Sequence, residues 1–160
     1  MPLSPVGIIH TFVGIIAIFF GIKSIHNNKQ IILSSNSGKI YLGATVITAI
    51  TALTIFKHGS FNAAHGLAVL TIIAVFLGIA LSKYSLFRSW NKYFVTITFS
   101  STFLFHLLPT ATEILTRFPI DAPVVSNLKD PILQKTFLGI LVLFITFLIF
   151  QMNWLRKQNN

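Results

Sequence analysis

Cysteine is absent from the 160-residue chain. That excludes disulfides, thiolate nucleophiles, thiolate metal ligands and covalent haem attachment together, so any metal or cofactor has to be held by imidazole, carboxylate or backbone. Methionine occurs only twice, too seldom for a thioether copper relay. Acidic residues are nearly missing, with three Asp and Glu against twelve Lys and Arg. Also missing is any long polar stretch from which a soluble domain would be built. A basic chain of this kind points either to nucleic acid or to a membrane surface, and the placement of the charge decides between them.

More than half of the residues are hydrophobic, and Phe alone occurs 16 times. A bilayer-spanning helix needs about 20 apolar residues. Five runs approach that length, at 6–22, 40–56, 63–81, 93–112 and 132–152. The first reads as a span and not as a cleavable signal peptide, because no Lys or Arg precedes it and no small-residue cleavage site follows. The expectation is an all-α fold, one polytopic transmembrane bundle of about five spans in which residues 1–160 form a single integral membrane domain.

The cations sit in the short segments between these runs, so the basic balance reads as topology and nucleic acid is not expected as a partner. Lys23, Lys29, Lys39, Lys83, Arg88, Lys92, Arg156 and Lys157 share one end of an alternating five-span bundle; Lys57, Arg117, Lys129 and Lys135 share the other. The positive-inside rule then places the N-terminus outside and the C-terminus inside. Tyr41, Tyr84, Trp90, Tyr93 and Trp154 fall at the inner interface, where amphipathic rings favour the headgroup level.

With that topology, four of the five histidines and the single Glu converge on the outer leaflet. His10 lies about one turn inside the first span, His58 follows the second, His65 opens the third, and His106 nears the outer end of the fourth with Glu113 about two turns beyond. His26 is a solvated residue of the inner loop. Thr98, Thr102, His106, Pro109 and Glu113 recur at helical spacing as a polar face, and intramembrane ionisable groups normally face the bundle interior. Gly7, Gly14 and Gly21 repeat every seven residues around His10, a spacing that marks close helix approach. Ala44, Thr48, Thr51 and Ala52 give the second run a similar stripe. Pro109 removes a backbone donor, which suggests a small outward-facing polar cavity, and the Pro- and Asp-bearing loop 117–131 is long enough to cover it. The fifth run is polar only at its ends and reads as a packing or lipid-facing helix.

The segments SPVGIIHTFVGIIAIFFG, SGKIYLGATVITAITAL and FNAAHGLAVLTIIAVFLGI resemble the predicted bacterial inner-membrane proteins grouped as domain of unknown function 2306. The resemblance covers roughly the first four runs and implies a multi-pass protein of a bacterial inner (cytoplasmic) membrane, with no activity attached. Members of that family often carry a further His where this chain has Ser34, and a His and Met where it reads SLFRSWNK. Both departures lie on the inner side, so if the family has an inner site as well as an outer one, the resemblance implies that only the outer site would be retained here.

Three chemistries are compatible with His10, His58, His65, His106 and Glu113 at one depth. Imidazoles with a carboxylate suit a transition metal ion, zinc, iron or copper, and two histidines on facing helices suit a non-covalent haem b, the latter redox-linked. The glycines around His10 favour haem, Glu113 favours a bare ion, and no His-x-x-x-His pair is present. The second reading is a non-catalytic accessory or assembly subunit, in contact with the lipid bilayer and with other membrane protein subunits. The third is an enzyme, quinone-linked with haem or hydrolytic with zinc and Glu113 as base. Against all three stands plain packing: a membrane His hydrogen-bonding to Thr or carbonyl across a helix interface, His58 and His26 solvated, and Glu113 paired with Arg117 at i+4.

Overall fold

The computed structural model describes residues 4–56 and 59–158. Among these residues the chain is all-helical, without strands. The helices are α1 (Pro5–Asn28), α2 (Asn36–Leu53), α3 (Ala63–Tyr84), α4 (Asn91–Arg117), which follows a 3₁₀ turn at Arg88–Trp90, and α5 (Pro131–Lys157). Helices α1, α3, α4 and α5 are long and apolar enough to cross a membrane. The second run, expected over 40–56, starts earlier and stops at Leu53. Its 18 residues carry Thr45, Thr48 and Thr51, and it is the shortest of the five α-helices.

Helices α1, α2, α3 and α5 begin where the sequence supplies a cap. Ser4 accepts from the Gly7 N–H at 3.1 Å with Pro5 at the first helical position. Ser35 does the same for Gly38 at 3.0 Å, and Asp130 for Ile132 at 2.9 Å with Pro131 behind it. These side-chain oxygens satisfy N–H groups that have no partner inside the helix. Gly38 has no alternative, since a Cβ there would lie 1.9 Å from the Ile32 carbonyl oxygen. Asn91 closes the other end of a neighbour by donating its amide to Leu81 O at 2.8 Å.

Sequential helices pack side by side, and α4 also touches α1. The interior is the reverse of a soluble core. The buried face of α1 is Gly7, Gly14, Ala17, Gly21 and Ser24, while Phe12, Ile15 and Phe19 of the same helix point outward, each more than 60% exposed. Thr45, Thr96, Ser100, Thr102 and Gln151 are wholly buried. Small residues let backbones approach and hydroxyls hydrogen-bond across helices where lipid supplies the apolar surroundings. The expectation of a membrane bundle is met in that form.

The central apolar cluster contains Ala17, Ile31, Tyr41, Leu42, Ala44, Val75 and Phe99. Tyr41 is therefore not at an interface: its ring is fully buried, and Gly21 makes room for it, a Cβ there lying 2.9 Å from the ring. The α1–α2 connection also enters the interior. Ile31 is buried, the Gln30 side chain accepts from Thr96 at 2.6 Å, and Gln151 of α5 donates to Lys29 O at 2.9 Å.

Candidate functional site

The threonine face of α2 is the line on which two of the expected histidines meet. His10 reaches it from α1: its Nδ1 lies 3.0 Å from Thr48 O and 3.1 Å from Thr51 Oγ1. A carbonyl only accepts, and Thr51 gives its own proton to the carbonyls of its preceding turn. His10 Nδ1 is therefore the protonated nitrogen and Nε2 the basic one. His10 thus faces the bundle, as its glycine flanks imply.

His106 reaches the same face from α4. Its Nε2 lies 3.0 Å from Thr45 Oγ1, and its ring packs against Tyr41 at 6.1 Å between centroids. The direction of this network follows from its last acceptor. Thr102 donates to Phe99 O at 2.7 Å, so Tyr41 OH donates to Thr102 at 2.6 Å. The Thr45 hydroxyl and His106 Nε2 share the remaining hydrogen bond across α2 and α4. His10 and His106 lie close enough to act on each other electrostatically.

His65 stands apart at the start of α3. Its ring lies between Phe56 and Phe61, at 4.7 and 5.2 Å, both tilted by about 30°. Its Nδ1 accepts from the Asn62 N–H at 3.3 Å while Asn62 caps the helix in return, the reciprocal arrangement of a capping box. The proton is thus on Nε2, which is buried and lacks a partner among the described residues. A protonated nitrogen offers no lone pair to a metal.

Glu113 forms an ion pair with Arg117, and its side chain is half exposed. His58 lies outside the described residues. Among the described residues no three His, Asp or Glu side chains are grouped to hold a metal ion. Of the glycines flanking His10, Gly14 abuts Thr48, and further along α1 Gly21 abuts Tyr41 and Phe103. The structure thus joins His10 and His106 through α2 and leaves His65 and Glu113 in settings of their own.

The loop 118–130 does return to the bundle: Val125 is buried and its N–H donates to Leu115 O at 3.0 Å. Of the polar face expected on α4, Thr102 and His106 are buried. Sequence reasoning missed Thr45, Tyr41, Thr96, Ser100 and Gln151. Gln151 was legible as an amide deep within the last apolar run, and Thr96 and Ser100 as a four-residue repeat. Compared with known protein families, curated proteins and solved structures, the chain matches none.

Proposed function

We propose that this chain is a five-span protein of a bacterial inner membrane, N-terminus outside and C-terminus inside, that acts as a non-catalytic accessory or assembly subunit of a larger membrane complex. The observation that carries this reading is the use made of the histidines. His10 and His106 each spend a ring nitrogen on the α2 threonine face, and His65 spends one on its helix cap. Imidazoles engaged in this way hold helices together, and polar contacts of this type specify helix pairing in lipid. Helix α5 adds to the picture, since Leu133, Gln151 and Leu155 are its buried residues and most of its apolar surface is open to lipid or to a partner helix.

A second reading keeps the outer-leaflet cofactor, a transition metal ion or haem b, and rests on His10. Donation of Nδ1–H to a backbone carbonyl is the usual support for a metal-ligating imidazole, it leaves Nε2 basic, and His106 is its electrostatic neighbour. His65 and Glu113 would join only through rearrangement of the capping box and the ion pair.

One sample separates the readings. Detergent-purified protein is examined by absorption before and after dithionite reduction, by elemental analysis, and by native electrophoresis of solubilised membranes. A colourless, metal-free chain that migrates in a defined larger assembly supports the accessory subunit. A reducible Soret band, or stoichiometric metal lost in His10→Ala and His106→Ala and kept in His26→Ala, transfers the conclusion to the cofactor site.

A further inference from the structure

The charge of this molecule is divided between the two ends of the bundle. Eight cations, Lys23, Lys29, Lys39, Lys83, Arg88, Lys92, Arg156 and Lys157, lie at the end formed by the start of α4 and the finish of α5, with no acidic residue among them; Glu113, Asp121 and Asp130 all lie at the other. At the basic end a groove of about 540 Å³ opens between α4 and α5, walled by Trp90, Tyr93, Phe94 and Ile97 on one side and by Asn153 and Arg156 on the other. Lys92 beside it is already engaged, donating to Leu155 O at 3.1 Å over the Tyr93 ring. The Arg156 guanidinium and the Asn153 amide are exposed and make no hydrogen bond or ion pair with the described residues.

A second groove, about 330 Å³ and apolar throughout, lies further along the same two helices between Leu104 and Leu108 of α4 and Leu138 and Leu141 of α5. The two grooves share one side of the helix pair. On α4, positions 90, 94, 97, 101, 104 and 108 follow alternating spacings of four and three and therefore form one stripe. On α5, Leu138 and Arg156 are five helical turns apart and fall on one line. The site is thus amphiphilic along its length: a cation, an amide and two amphipathic rings at one end, hydrocarbon at the other.

We propose that this side of the α4–α5 seam holds one anionic phospholipid, its phosphate on Arg156 and Asn153 at the level of Trp90 and Tyr93 and an acyl chain running past Ile97 toward Leu104. Aromatic rings and basic side chains collect at headgroup depth, and basic pockets between membrane helices select anionic lipids. A second copy related by a two-fold axis along the membrane normal would bring two basic ends together at one depth, so self-association on this face does not fit the charge. The proposal rests on the membrane reading and on neither the orientation nor the accessory role.

The test uses the full chain, delipidated in detergent and then transferred to phosphatidylcholine nanodiscs with and without phosphatidylglycerol, with retained lipid counted by native mass spectrometry. The expected result is one phosphatidylglycerol per chain, held in preference to phosphatidylcholine. Arg156→Gln should weaken it about fivefold, the usual weight of one basic residue at a membrane surface. Ile97→Trp should block it by filling the groove with every cation intact, and Lys129→Gln at the opposite end should leave it unchanged. Should Ile97→Trp fail to fold, Arg156→Gln decides alone. Equal retention of both lipids, wild-type retention in Arg156→Gln, or an equal loss in Lys129→Gln overturns the site. Failure of the chain to remain in membranes on carbonate extraction would instead overturn the membrane reading.

Discussion

Thr45 and His106, 61 residues apart in the chain, meet at 3.0 Å between α2 and α4, and both are buried. Neither has water to fall back on, so each is the other's means of satisfying a polar group.

Thr45→Val keeps the shape and removes the hydroxyl, leaving His106 Nε2 unmatched. Polar contacts between membrane helices average about 0.6 kcal/mol and reach about 1.7, and an orphaned buried polar group costs about 1–3 kcal/mol. The expected loss is about 1 kcal/mol in reversible unfolding from detergent micelles, with Thr45→Ser close to the parent. A neutral Thr45→Val would dismiss the contact.

Gly78→Ala tests packing without changing polarity. A Cβ at Gly78 would lie 2.3 Å from the Phe99 ring, which is wholly buried. Overpacking of this kind costs about 1–3 kcal/mol. Gly43→Ala, on an exposed face of α2 with nothing within 4 Å, should be neutral or stabilising by up to about 1 kcal/mol through helix propensity. Both are measured as shifts in melting temperature, and the reverse ranking would contradict the arrangement of α3 against α4.

His65→Phe sets two effects against each other. It removes a buried donor that has no acceptor among the described residues, worth about 1–3 kcal/mol, and it sacrifices a long 3.3 Å capping contact while keeping a ring between Phe56 and Phe61. The net expectation is a gain of about 1 kcal/mol in the same unfolding measurement. A clear loss would mean that His65 Nε2 serves a partner that the isolated chain does not hold.

The proposed orientation rests on Lys and Arg counted near helix ends. A reporter enzyme fused to the C-terminus should be active only as a cytoplasmic fusion. Transferring Arg156 and Lys157 to neutral residues should weaken that bias, and a periplasmic signal from the parent would invert the topology.

The sequence made the class of fold legible because spans announce themselves by length and apolarity, and the inward aim of His10 because glycines mark where helices touch. Tyr41 was misplaced for a physical reason: its position near a helix end matches the interfacial rule, yet Gly21 and Thr102 give it both room and a partner inside. Thr45, Thr96 and Ser100 were hard to single out in a chain where threonines and serines occur on every face. The separation of His65 from His106 was not legible, since depth along a helix says nothing about which neighbour the side chain meets.

The bond from Gln151 to the Lys29 carbonyl spans 122 residues, and it has a consequence for the order of events at the ribosome. At about 5–20 residues per second, the turn after α1 is synthesised roughly 6–24 s before its last partner. Until then the first hairpin waits half-finished in the bilayer, and the arrival of the final helix is the step that latches it.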